Sequence, residues 1–205
     1  MDEQKALACD VVDYDNFRTE INHGDILLCS GTSFISELIK KATGSIWSHV
    51  GIVLKIEAID RIVVVESVES VGVRTIALSS YCKDYNGTGE AYPGGIMIAR
   101  HAAFPADQQF IHAMAAFGVD LFGYPYDKQE IARIATRIAT GGLFGSERTP
   151  DDKVYICSEF VEAMLARVGI VCARNALGFV APSDIAADPQ VHPKFWLNTK
   201  WSKPS

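Results

Sequence analysis

A thiol, an imidazole and a carboxylate stand in this sequence in settings that suit nucleophilic catalysis. Cys157 lies where the apolar run Val154-Tyr155-Ile156 gives way to a helical pattern, Val161, Met164, Leu165 and Val168 recurring until Gly169. That spacing predicts a thiol at a buried helix N-terminus, where unpaired N–H groups and the helix dipole favour thiolate and can hold an oxyanion. A buried cysteine also packs as a small hydrophobe, so the thiol becomes a nucleophile only if a base reaches it. His49, in Ser48-His49-Val50-Gly51-Ile52-Val53-Leu54, sits on a β-rich run whose Gly51 marks close approach of another group. Glu66 ends the apolar run Ile62-Val63-Val64-Val65, where a carboxylate is costly unless paired. Taken singly, His49 also reads as a satisfied core histidine and Glu66 as the exposed end of a strand.

The elements that would carry these groups follow from the pattern. The charged Asp60-Arg61 between the two β-rich runs suggests a hairpin that brings His49 and Glu66 to the same end of adjacent antiparallel strands. Further strands are read at 25–29, 71–76 and 96–100, the last two split by a polar loop holding Asn86-Gly87-Thr88-Gly89. Ser33 as N-cap and Gly44 as stop bracket a helix over 34–43 with Ile35, Leu38, Ile39 and Ala42 inward. After residue 104 the period lengthens to that of helices. Pro105 and Gly118 bracket one that buries Phe110, Met114 and Phe117, and Asp127 with Glu130 opens another over 127–140, basic on its outer side. Pro182-Ser183-Asp184 starts a short helix, whereas the tail from Pro189 shows no period.

Composition narrows the classes. With 205 residues, 48% of them hydrophobic, the chain can bury a sizeable core, and residues 1–205 are expected to form a single domain. A net charge of -6 gives no basic footprint for nucleic acid. The five cysteines, at 9, 29, 82, 157 and 172, include no Cys-x-x-Cys pair, which argues against a disulfide framework and a zinc ribbon. No metal or other cofactor is expected. The polar, acidic start Met1-Asp2-Glu3-Gln4-Lys5 lacks the order of a secretory signal, and with no span-length apolar run the expectation is a cytoplasmic location.

The order of the motifs resembles the NlpC/P60 cysteine peptidases. Gly24-Asp25-Ile26-Leu27-Leu28, Ser48-His49-Val50-Gly51-Ile52-Val53, Val65-Glu66-Ser67, Gly72-Val73 and Ile98-Ala99-Arg100 are similar to that family's His-bearing half. Gly123-Tyr124-Pro125-Tyr126 and Cys157-Ser158-Glu159-Phe160-Val161 are similar to its Cys-bearing half. Here His49 precedes Cys157, the reverse of the ordinary order, so the resemblance is to the circularly permuted branch. It implies an α+β, papain-like permuted NlpC/P60 fold, with an antiparallel β-sheet or small barrel packed against helices and the nucleophile at a helix N-terminus. It also implies Cys157 as nucleophile, His49 as base and Glu66 as the residue orienting the histidine, a position usually held by His, Asn or Gln. Tyr126 matches a tyrosine beside the nucleophile that can hydrogen-bond the substrate oxygen; it reads equally as a turn aromatic packed on the core. Ile156 stands in place of the usual Asp, Glu159 in place of the usual Gly, and about 30 residues separate Tyr126 from Cys157.

The expected function is a cysteine-nucleophile hydrolase cleaving an amide bond, peptide or acyl-amino-acid, through a thioester acyl-enzyme. Two alternatives keep the fold: a lipid acyl hydrolase or acyltransferase with the same Cys–His chemistry, and a binding module without turnover. The expected partner is a small peptide, acyl-amino-acid or lipid-like substrate. The basic-faced helix read over 127–140 would suit an anionic membrane surface, but an ordinary helix packed on the core is the favoured reading. Oligomeric state is not legible.

Overall fold

The computed structural model describes residues 1–127, 129, 133–134, 154–176 and 178–204. In chain order these form α1 (Glu3–Ala8), β1 (Val11–Val12), α2 (Tyr14–Phe17), β2 (Ile26–Ser30), α3 (Phe34–Thr43), β3 (His49–Ile56), β4 (Arg61–Val68), β5 (Gly72–Ala77), α4 (Leu78–Lys83), β6 (Gly95–His101), α5 (Gln108–Asp120), α6 (Cys157–Ala166), α7 (Pro182–Ala187) and β7 (Val191–Leu197). The strands make one sheet in the order β1-β7-β6-β2-β3-β4-β5, antiparallel except where β1 runs parallel to β7. This is the expected α+β architecture of a largely antiparallel sheet packed against helices. The helix read over 127–140 lies almost wholly outside the described residues.

Period-two alternation sends the strand side chains to two cores. On one face Ile26, Leu28, Val50, Ile52, Val65 and Met97 pack against Phe160, Val161, Met164 and Leu165 of α6. On the other face Leu27, Cys29, Val53, Val64, Ile96 and Ile98 meet Leu78 and Tyr81 of α4 and Tyr14 of α2. Burial on both faces explains why the central strands read as unbroken apolar runs, and each fully buried Ile or Phe contributes about 1.5–3 kcal/mol.

Four features depart from the sequence reading. α5 begins after Asp107, whose carboxylate accepts the Gln109 N–H at 2.8 Å, so the cap lies two residues past Pro105. Gly118 is inside that helix, where it lets the Met164 side chain approach, and Ile111 and Met114 are buried while Phe110 is 42% exposed. The apolar stripe of α3 holds no fully buried residue; Leu38, Ile39 and Ala42 line a cleft instead of a core. The tail from Pro189 contains β7, which inserts between β1 and β6, with a register shift at Ile98/Ala99 where Pro193 falls opposite Ala99. Trp196 anchors this strand, stacking on Trp47 at 5.4 Å and donating its Nε1–H to the Ala6 carbonyl at 2.7 Å.

Candidate active site

β3 and β4 fix the imidazole and the carboxylate. Continuing the Ile52–Val65 register puts Glu66 opposite Gly51, so His49 lies diagonally across on the same face. A Cβ at Gly51 would sit 2.6 Å from Val64 Cγ1 and 3.3 Å from Glu66 Cβ. The glycine therefore leaves the space through which the ring reaches the next strand, and His49 Nε2 meets Glu66 Oε2 at 2.6 Å.

Glu66 is fully buried and is held by three partners. Besides His49, its Oε2 accepts the Tyr81 hydroxyl at 2.6 Å, and its Oε1 accepts Arg74 Nε–H at 2.9 Å. Burial would raise its pKa, but the hydrogen bond and charge of His49, the Arg74 guanidinium and the Tyr81 hydroxyl outweigh it and hold the carboxyl below its ordinary range. Arg74 sits directly opposite Glu66 in the β4–β5 register. The sequence reading named neither Arg74 nor Tyr81. Counting the pairing outward from the turn at 69–71 would have found the arginine; the tyrosine lies on the six-residue α4, which carries no side-chain cap.

Cys157 is the first residue of α6 and is 3% exposed, placed as its spacing predicted. Three strings of bonds align it with the sheet. Ser67 Oγ donates to the Tyr155 carbonyl at 2.7 Å, Val73 N–H donates to the Tyr124 carbonyl at 2.8 Å, and Tyr126 bridges Tyr155. Below, Ser158 Oγ donates to the Val180 carbonyl at 2.6 Å. The residues at 156 and 159 compensate one another: Ile156 has no side-chain acceptor for the cap, and Glu159 Oε2 instead accepts the Ile156 N–H at 3.4 Å.

The thiol and the imidazole face one hollow, which Cys157 and His49 line together. With Nε2 committed to Glu66, Nδ1 is the ring nitrogen left for the sulfur. Burial lowers the His49 pKa, yet its interactions with Cys157 and Glu66 and the charges of both raise it further, to about 10. Tyr126 lines the same cleft; burial, with Cys157 nearby, pushes its hydroxyl pKa up, and the phenol stays a neutral donor. Cys29, opposite His49 in the β2–β3 register, is fully buried and its thiol pKa is pushed well up by that burial, as are those of Cys82 and Cys172, each to about 12.

Two hollows meet at Cys157. One, of about 320 Å³, is walled by Leu38, Ile39 and Ala42 of α3 and by Phe179, Val180 and Pro182 at the start of α7. The other, of about 220 Å³, holds His49 and is lined by Ser33, Ser36, Tyr85, Tyr92 and Tyr126. No group of three or more His, Cys, Asp or Glu side chains is arranged to hold a metal ion among the described residues.

A sheet-borne histidine that precedes, in the chain, a cysteine at a helix N-terminus defines a circularly permuted papain-like cysteine peptidase or amidase. The chain belongs to the Peptidase C92 family, permuted papain-like amidase enzymes of the YaeF/YiiX type, whose model matches residues 20–196. Its fold is similar to the crystal structure of the metalloprotein yiiX from Escherichia coli O157:H7, with a TM-score of 0.60 and 17% identity over 88% of this chain and 98% of that one. No curated protein matches the chain.

Proposed function

We propose that this protein, kin to the NlpC/P60 enzymes, cleaves an amide bond in a peptide or acyl-amino-acid through a thioester acyl-enzyme. The observation that carries the reading is that Cys157, at a helix N-terminus, lines one hollow with His49, whose Nε2 lies 2.6 Å from Glu66 Oε2. Cys157 attacks the carbonyl carbon, its helix N-terminal N–H and the Tyr126 hydroxyl receive the developing oxyanion, and His49 passes its proton to the leaving amine. Water, deprotonated by His49, then opens the thioester and frees Cys157.

The two hollows give the substrate a direction. The amine must leave on the side of the imidazole that protonates it, which assigns it to the polar hollow containing His49. The acyl group then faces the apolar hollow between α3 and α7. That apolar wall favours a second reading, a lipid acyl hydrolase or acyltransferase with the same chemistry. Turnover of N-acyl amino acids against acyl esters, each with acyl chains of two to sixteen carbons, tests both. Hydrolysis of the amides supports the first reading; turnover confined to long-chain esters replaces it with the second, and no Cys157-dependent turnover of either series rejects both.

A further inference from the structure

Glu66 is the carboxylate bonded to His49, but the strand does not by itself fix how that carboxylate is turned. The terminal torsion of a glutamate is broad and roughly two-fold, so a backbone position on β4 allows several carboxylate planes. What selects one plane is the pair of side chains on its other sides. Arg74 Nε–H occupies Oε1 at 2.9 Å from directly across the β4–β5 pair, and the Tyr81 hydroxyl occupies Oε2 at 2.6 Å beside His49. We propose that Arg74 and Tyr81 are positioning residues for the reaction, clamping the Glu66 carboxylate so that Oε2 faces His49 Nε2 and the other ring nitrogen faces the sulfur.

The clamp is itself held in place. Tyr81 is fully buried among Leu78, Val64 and Ile96, so its hydroxyl cannot turn away to water. Arg74 Nη1 donates to Asn86 Oδ1 at 2.9 Å and Nη2 to the Tyr85 hydroxyl at 3.4 Å, with the guanidinium 5.9 Å from the Tyr85 ring centroid. Tyr85 packs on Tyr81 at 4.8 Å and on Tyr92 at 4.9 Å, and both Tyr85 and Tyr92 line the hollow assigned to the leaving amine. A group seated against that wall is thus one side chain removed from the carboxylate that steers the base.

This inference rests on the cysteine-hydrolase reading, and the test separates the two. Alkylation of each cysteine by iodoacetamide is followed by mass spectrometry from pH 5 to 11 in the wild type, Arg74→Gln, Arg74→Lys and Tyr81→Phe, with steady-state turnover alongside. In the wild type Cys157 should react far faster than Cys9, Cys29, Cys82 or Cys172; if it does not, the hydrolase reading and this inference fall together. Arg74→Gln should move the midpoint of the Cys157 alkylation profile upward by about one pH unit, a tenfold change in the thiolate–imidazolium constant. The accompanying loss of turnover should fall on kcat and leave KM unchanged, and Arg74→Lys should recover part of it. A fast wild-type thiol combined with a folded Arg74→Gln of wild-type profile, or with Arg74→Lys no better than Arg74→Gln, overturns the inference alone. Should Arg74→Gln fail to fold, the near-isosteric Tyr81→Phe decides: an upward-shifted midpoint supports the clamp and a wild-type profile rejects it.

Discussion

Replacing Glu66 by Gln keeps the volume and removes the charge, and the buried network around that side chain sets the consequences. The carboxylate is fully buried and accepts from three donors, His49, Tyr81 and Arg74. An amide can offer its oxygen to one side only. If that oxygen stays on Arg74, the amide nitrogen faces the Tyr81 hydroxyl and His49 Nε2; the hydroxyl can rotate to accept, but the ring must present a bare Nε2. In that orientation the ring proton sits on Nδ1, the nitrogen facing the sulfur, so His49 takes the thiol proton only in the fraction of molecules whose amide turns its oxygen toward Nε2. Removing one partner from a buried ion pair costs about 3–5 kcal/mol, and because the Arg74 side chain is 18% exposed the lower end, about 3 kcal/mol, is expected. The rate should fall, though by less than the 10²–10⁴-fold or so expected for His49→Ala, because an orienting group is more replaceable than a base. Urea denaturation and steady-state kinetics on both variants measure the two effects. A stability loss under about 1 kcal/mol, well short of the cost of unpairing a buried charge, or a larger rate loss in Glu66→Gln than in His49→Ala, would refute the reasoning.

Two further outcomes are expected. Gly72 has φ 77°, and a Cβ there would overlap the Tyr124 carbonyl, so Gly72→Ala should push the 123–126 segment away and cost about 1–3 kcal/mol together with most of the activity; a fully active, equally stable variant contradicts this. Against the pull of burial, His49 is lifted from 6.5 to about 10 by its interactions with Cys157 and Glu66, so the stability it adds is complete below pH 6.5 and is lost as pH rises through about 10. Denaturation at a series of pH values should show the wild type losing stability relative to His49→Gln across that window, and a gain would reverse the assigned sign.

The legible parts of this molecule are those in which local pattern and tertiary role agree. Ser33 caps α3 by accepting the Ser36 N–H and Gly44 ends it at φ 63°, as their residue types dictate. Cys157 keeps the helical stripe that turns it inward, and the β3–β4 hairpin sets His49 beside Glu66 as the alternating runs implied. What the sequence hid depended on partners far along the chain. β7 carries Pro193 and alternates irregularly, becoming a strand only because β1 and β6 flank it. α4 has too few residues for a period to show, so Tyr81 was invisible until the register of β4 and β5 carried the chain back over Glu66. The stripe of α3 has the spacing of a core face, yet none of its residues is fully buried, and Leu38, Ile39 and Ala42 line the apolar hollow with Ile134 and Phe179.

In the proposed mechanism every step depends on sulfur as the attacking atom. Rapid-quench intact-mass analysis of the protein turning over an N-acyl amino acid should reveal a single acyl adduct, mapped by proteolysis to Cys157 and absent from a folded, inactive Cys157→Ala variant. An adduct on another residue, or turnover that survives in Cys157→Ala, would contradict it.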